Sequence, residues 1–458
     1  MGILSAMNKS VGGLAAQAFA LENISGNIAN TQTTGYKRTD TSFQDLVPNG
    51  GGRVSIQPAG NVTATSRATN TVQGAIEASQ SETSMAIKGD GYFVIRQKAG
   101  EVDGRPIFTE QNIYTRRGDF EIDKDGYLVN GAGYYLTGLP IDQATGNPSG
   151  DATEMIQITN DALNAEATQE IEYRLNLPSS PLTANAVQDP DTEGSELWTP
   201  TDPDTSSISA ANSSDFLNES ISGGAVTAYD ANGTPVGVQF RWAKVEVPAD
   251  AEAGVTDSWQ LFYLSNSKAT GDEPMWTNAG ERYDFNAGGR VVSPTTTQLS
   301  IPDMTINGVD LGDIRLDHGS NGLTQYDDQN GVTSVTRLTQ DGVPPGDFVD
   351  LAITDGGRVV ASYSNGRTIE VYQIPLVSFN GDSSLRRLDG GAFAQTKESG
   401  APVAGASGSI VGSSLEASNV DLGEEFTKLI VTQQAFSANS RAITTANDML
   451  TEVLNIVR

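Results

Sequence analysis

Apolar residues recur along the first thirty positions at alternating intervals of three and four: Leu4, Met7, Val11, Leu14, Ala18, Leu21, Ser25 and Ile28. This narrow heptad stripe, broken once by a small polar residue, predicts an amphipathic helix. The other end carries a second stripe, with Leu422, Leu429, Phe436, Ile443, Leu450 and Val457 standing seven apart and Phe426, Gln433, Ser440, Asn447 and Leu454 at the companion positions. Asp421 or Asn419 is placed to cap this helix, and Glu424 and Glu425 in its first turn suit the positive end of its dipole. Each helix would run roughly 40–55 Å. A single apolar seam does not hold a lone helix in water, so both stripes require a partner. Either the two ends pair on the chain's own body, or they pair and then pack against neighbouring copies. Polar Gln433, Ser440 and Asn447 weaken a stand-alone dimer and suit an assembly of many helices.

Between the ends the chain reads as β. AIKGDGYFVI, YTRRGDFEIDKDGYLVNGAGYYLTG and IEYRLNLP are aromatic and β-branched runs punctuated by Asp-Gly, Asn-Gly and Gly-Gly turns. Strands resume in AVTAYDANGTPVGVQFRWAKV, WQLFYL and GRVVASYSNGRTIEVYQIPLVSF. Residues 179–224, rich in Pro, Asp, Ser and Thr, read as loop or insertion, and the Gly/Ser stretch 400–414 reads as a linker. The fold class is therefore α+β multidomain, with paired coiled-coil-like terminal helices and β-rich middle and outer domains. A length prior suggests about three domains.

The net charge of −29 sits in the middle of the chain. Residues 1–39 carry Lys9, Lys37 and Arg38 against Glu22, and residues 422–458 carry Lys428, Arg441 and Arg458 against Glu424, Glu425, Asp448 and Glu452. Nearly neutral ends suit close packing, and the acidic middle argues for a solvated surface and against nucleic acid as a partner. Cysteine is absent, which excludes disulfides, thiolate metal sites and cysteine nucleophiles. No run of about 18 apolar residues predicts membrane insertion. The N-terminus lacks the basic and compact apolar regions of a signal peptide, so export would proceed without a cleaved signal.

The search for reaction chemistry returns no catalytic, cofactor or metal assignment. His318, the single histidine, follows Asp317 and reads as a surface or turn residue. Asp123-Lys124-Asp125-Gly126 opens like a calcium loop but lacks its later ligands, and reads as a hairpin turn. Gly89-Asp90-Gly91 is half a dinucleotide fingerprint with no helix to follow, and Arg117-Gly118-Asp119 reads as an ordinary turn. The Asp-Pro-Asp pairs at 189–191 and 202–204 offer at most weak divalent binding. Thr33-Thr34-Gly35-Tyr36 reads as a turn out of the first helix, with Gly35 supplying positive φ. Lys37 and Arg38 read as solvated charges, the alternative being pairs with carboxylates of an adjacent subunit.

The segment NISGNIANTQTTGYKR, Asn23 to Arg38, resembles the signature that closes the N-terminal helix in flagellar rod, hook and hook-associated axial proteins. AIKGDGYFVI, the YTRRGDFEIDKDGYLVNGAGYYLTG run and the C-terminal SNVDLGEEFTKLIVTQQAFSANSRAITTANDMLTEVLNIVR are similar to the strand motifs and terminal helix of that family. NGLTQYDD, TQDGVPPGDFVDLAITDGGRVVASYSNGRTIEVYQIPLVSFN and AVTAYDANGTPVGVQF resemble the hook branch in particular. The likeness covers roughly half the chain and leaves 179–224 without a counterpart.

The resemblance implies a layered subunit. Residues 1–30 with 415–458 would line an inner tube, and 31–75 with 395–414 would form linkers. Residues 76–145 with 346–394 would form the middle domain, and 146–345 the outer domain. Its implied role is a structural subunit of a curved extracellular tube, a universal joint passing torque from rod to filament. It would be a helical homopolymer, with the distal rod, the hook cap, the hook–filament junction proteins and the flagellar type III export apparatus as further partners. Asn27, Asn30, Thr31, Gly35, Tyr36 and Lys37 are the matching helix-to-linker signature. The assembly residues would be Leu4, Met7, Val11, Leu14, Leu21 and Ile28 against Leu422, Leu429, Phe436, Ile443, Leu450, Leu454 and Val457 of neighbouring copies. The termini of the monomer are then expected to order on assembly. A distal rod or hook-associated protein is the nearest alternative, and an extracellular adhesin or binding module the next.

Overall fold

The structure is a computed structural model and describes residues 3–46, 61–102, 104–159, 161–200, 206–247 and 251–456. Val457 of the predicted stripe lies outside these. Long helices occupy both ends, Ile3–Ala29 and Leu422–Ile456, and strands dominate between them. The chain divides into two compact units, one of residues 1–160, 348–363 and 367–458, the other of residues 161–347 and 364–366.

In the first unit the terminal helices lie side by side. The stretch read as linker after the N-terminal helix carries an antiparallel strand pair, Thr39–Leu46 with Asn61–Ala68, that packs along the helix. The body is an antiparallel sheet in which Tyr92–Val102 is flanked by Tyr134–Pro140 and Ile113–Thr115. Tyr92, Phe93, Val94 and Ile95 are all buried, because both faces of this strand are covered. Phe93 and Ile95 join Met85, Phe120, Leu128, Leu136, Leu351 and Val359 in one core, while Tyr92 and Val94 join Tyr114, Phe379 and Phe393 in another. Asp123–Tyr127 forms the hairpin turn between Phe120–Ile122 and Leu128–Asn130, with the Asp123 carboxylate accepting from the Asp125 and Tyr127 amides. Part of the Gly/Ser linker is also strand, Ser409–Gly412 pairing with Met85–Lys88.

The second unit sets two sheets face to face. Glu170–Leu177 alternates buried and half-buried positions, as its period of two predicts, and pairs with Val309–Asp317, Leu323–Gln325 and Ser334–Gln340. The other sheet runs Ser207–Ser209, Pro274–Asn286, Val255–Leu264, Pro235–Val245, Ile221–Tyr229. Tyr173, Phe240, Trp242, Tyr283, Met304 and Ile314 belong to the core that both sheets share.

Two readings change here. Residues 179–224 hold short helices at Ala184–Gln188 and Ser213–Asn218 and a strand at Ser207–Ser209, and their Trp198 and Phe216 bury against Phe262 and Trp276. Two aromatics eighteen positions apart leave no periodic trace in a Pro- and Asp-rich background. His318 is buried rather than at the surface: its Nδ1 donates to the Tyr173 carbonyl at 2.7 Å and its Nε2 accepts from the Tyr283 hydroxyl at 2.9 Å. Burial pushes its pKa below the usual histidine value.

Candidate assembly surface

The two terminal helices run antiparallel in a register fixed by two contacts. The Asn27 amide donates to Glu425 Oε2 at 3.0 Å, and Gly13 comes so close to Asn439 that a Cβ on it would sit 2.9 Å from the Asn439 side chain. The buried face of the first helix is Gly13, Ala16, Ala20, Ile24 and Asn27, and on the last helix Glu425, Thr432 and Ala446 are buried. Small side chains let the helices approach, so the seam inside one chain is narrow and partly polar.

The predicted apolar stripes are largely left over by this pairing. Leu4 and Val11 are exposed, at 62% and 52%, while Met7, Leu14, Leu21 and Ile28 are half-buried. On the last helix Leu422, Phe436 and Leu454 are exposed, and Leu429, Ile443 and Leu450 are half-buried. Phe426, Ile430, Val431, Met449 and Val453 are exposed as well. Isolated surface apolar residues need no explanation, whereas apolar residues exposed along two paired helices are a candidate interaction surface.

The signature that closes the first helix is built as a clasp. Asn27 donates to the Thr39 carbonyl and accepts from the Thr39 amide, which ties the helix end to the strand that follows. The Asn30 amide group donates to the Gly26 carbonyl and the Thr31 hydroxyl to the Ile28 carbonyl, so the last turn's free acceptors are satisfied. Gly35 has φ +66°, and its N–H donates to the Glu416 carbonyl at 2.7 Å. The Arg387 guanidinium lies over the Tyr36 ring, 5.7 Å from its centre.

Lys37 and Arg38 pair within the chain, contrary to both readings offered for them. Lys37 Nζ donates to Glu416 Oε1 at 2.5 Å and to the Val72 carbonyl at 2.7 Å, fully buried. Burial pulls the Lys37 pKa below the ordinary lysine value, and Glu416 opposes the shift. Glu416 also accepts from the Gly74 amide and faces Arg116 at 3.5 Å. Arg38 pairs with Glu424 at 2.8 Å, and its amide donates to Asn419 Oδ1. Asp421, not Asn419, caps the last helix, accepting from the Gly423 and Glu424 amides. Glu416 and Arg116 were missed by sequence reasoning, and Asn419 was read only as a cap, because nothing in local pattern pairs residues hundreds of positions apart.

Among the described residues no group of three or more His, Asp or Glu is placed to hold a metal ion, and no helix is long and apolar enough to cross a membrane.

Four family models match in order along the chain: flagella basal body rod protein over 7–37, flagellar hook protein FlgE/F/G D1 domain over 86–170, flagellar basal body protein FlaE D2 domain over 200–343, and flagellar basal body rod FlgEFG protein C-terminal over 411–456. The flagellar hook protein FlgE of Caulobacter vibrioides is 27% identical over the whole of both chains, and that of Escherichia coli K12 is 28% identical over 98% of this chain and 100% of its own. The chain belongs to the flagellar hook protein family. It is a structural subunit of the flagellar hook. A solved Helicobacter pylori flagellar hook protein FlgE2 aligns over 74% of this chain and 100% of its own, at 17% identity and a TM-score of 0.47. The clasp joins separate hook-family segments: Lys37 lies in the first matched stretch, Arg116 in the second and Glu416 in the last.

Proposed function

We propose that this hook subunit polymerises by closing the exposed helical stripes of each copy against neighbouring copies, forming a curved hollow tube that works as a universal joint. The observation that carries the reading is the mismatch of faces: the intrachain pair uses Gly13, Ala16 and Ala20, leaving Leu4, Val11, Phe436 and Leu454 outside. Each such side chain, fully buried, stabilises by about 1.5–3 kcal/mol before ordering costs. Many copies of one interface then hold the inner layer by coiled-coil-like packing. The β units form the outer layers, whose smaller and wetter contacts exchange as the tube bends.

The working location is the extracellular hook of the basal body. The chain reaches it through the type III export apparatus and grows beneath a cap. It joins the distal rod at one end and the junction proteins at the other. Negative-stain microscopy of the concentrated protein tests this reading. Curved tubes of uniform diameter are expected; straight polymers would move the assignment to the rod branch, and persistent monomers would refute it.

A further inference from the structure

A pocket of about 800 Å³ opens in the second unit, its lining drawn from two segments, 283–297 and 318–326. Tyr283 and His318 form its base, both almost wholly buried, and the hydrogen bond from the Tyr283 hydroxyl to His318 Nε2 at 2.9 Å fixes the two rings against each other. Two backbone bonds of 2.9 Å hold the walls: the Gln325 amide donates to the Gly289 carbonyl, and the His318 amide to the Thr297 carbonyl. Pockets that take small ligands are typically about 300–1,000 Å³ and largely shaped before the ligand arrives.

The mouth of this pocket is unlike the rest of an acidic molecule. Among the described residues that line it, Arg290 alone carries a charge and none is a carboxylate, in a chain of net charge −29. Asp317, Asp327 and Asp328 stand beside lining residues, but they accept from the Gly319 amide, the Ser179 hydroxyl and the Asn330 amide. Arg290, Thr295, Thr296, Ser320 and Asn321 are exposed, and among the described residues their side chains have no hydrogen-bond or ion-pair partner. Tyr326, 52% exposed, adds an open aromatic face.

One cation, several uncommitted hydroxyl and amide groups and an exposed ring match a ligand that is part anion, part polyol and part flat apolar face. A pyranose bearing a carboxylate combines all three. We propose that this pocket binds an acidic sugar: Arg290 takes the carboxylate, Thr295, Thr296 and Asn321 bond the ring hydroxyls, and Tyr326 stacks on the C–H face of the ring. A guanidinium meets a carboxylate with two parallel hydrogen bonds, whereas a phosphate is commonly met by a helix N-terminus or by several cations together. His318 supports the wall and is not itself a ligand, because Tyr173 and Tyr283 engage both its ring nitrogens. The site lies within one chain and does not depend on how copies assemble.

The full chain, kept dilute enough to stay monomeric, is titrated by calorimetry with trisaccharides of glucuronate, galacturonate and mannuronate, with their neutral hexose counterparts and with inorganic phosphate. At least one uronate is expected to bind about ten-fold or more tightly than its neutral counterpart, the increment of a charge-assisted hydrogen bond. Arg290→Gln should abolish that preference and leave the neutral sugar's affinity unchanged, while Tyr326→Ala should weaken both sugars roughly ten-fold. Both positions are exposed, so the tryptophan-detected urea midpoint of the second unit should stay where it is. No binding of any uronate at millimolar concentration, equal affinity for uronate and neutral sugar, or an unaltered uronate affinity in Arg290→Gln would overturn the proposal. Phosphate binding as tightly as the uronate would overturn it too, since the pocket would then be a plain anion site.

Discussion

Lys37 Nζ lies 2.5 Å from Glu416 Oε1, and neither side chain is more than 1% exposed. The two residues are 379 positions apart, one just after the first helix and the other just before the last. Removing two charges from water costs several kcal/mol, so the pair persists only because Val72, Gly74 and Arg116 complete its bonding. What it contributes is position: both terminal segments leave the β body at one fixed point, where the helix pair starts.

The partners should respond unequally to removal. Glu416→Gln leaves Lys37 buried without its anion and takes away the carboxylate that Arg116 faces, which is expected to cost about 3–5 kcal/mol. Lys37→Met leaves Glu416 facing Arg116 and should cost less, and the double variant should cost less than the sum. Urea unfolding followed by helical circular dichroism measures this. Tryptophan fluorescence is the internal control, because Trp198, Trp242, Trp259 and Trp276 all lie in the second unit. Equal losses for the two single variants would contradict the geometry.

That clasp marks where sequence reasoning stops. Periodicity revealed both helices, since Leu and Phe at heptad spacing are a local signal, and an aromatic and β-branched run after a Gly turn revealed the strand at Tyr92. It did not reveal which helix face turns inward, because Gly13, Ala16 and Ala20 carry almost no apolar weight; close approach, not bulk, puts them inside. Lys37 and Arg38 read as solvent charges for the same reason: their partners Glu416 and Glu424 are near only in space. His318 looked like a turn residue, and its burial depends on Tyr173 and Tyr283, contributed by facing sheets.

Gly35 should tolerate no side chain. Its φ of +66° costs an L-residue about 1–2 kcal/mol. A Cβ there would also stand 2.9 Å from the Arg116 carbonyl carbon, which is backbone and cannot swing away. Asn, which accepts left-handed conformations, would usually rescue such a site. Here Gly35→Asn should destabilise the first unit about as much as Gly35→Ala, both by more than about 2 kcal/mol in the same unfolding experiment. Rescue by Asn would show that conformation alone, not the close approach, selects glycine.

The second unit should lose stability in mild acid through His318. The Tyr173 carbonyl can only accept, so Nδ1 carries the proton and Nε2 accepts from Tyr283 in the neutral ring. Burial depresses the folded pKa below the unfolded value of about 6.5. The stabilisation is therefore present above that pH and is lost as pH falls from it towards the folded value. Tryptophan-detected urea midpoints should fall between pH 7.5 and 5.5, and His318→Gln should flatten that slope whatever its baseline. An unchanged slope would assign the acid response to carboxylates instead.

Two aspartate substitutions separate the inner seam from the outer stripe. Phe436 is 38% exposed in the single chain, so Phe436→Asp should cost the monomer no more than about 2 kcal/mol and leave it folded. In a polymer the same charge would be buried without a partner at every repeated contact, a cost of several kcal/mol per copy. The expected product is a monomer with normal helical signal and normal fluorescence that forms no tubes. Ala20 is 3% exposed, so Ala20→Asp should already separate the helices in the monomer and reduce the helical signal before assembly is attempted. Normal polymerisation of Phe436→Asp, seen by electron microscopy, would mean that the exposed stripe is ordinary surface and that another face joins the copies.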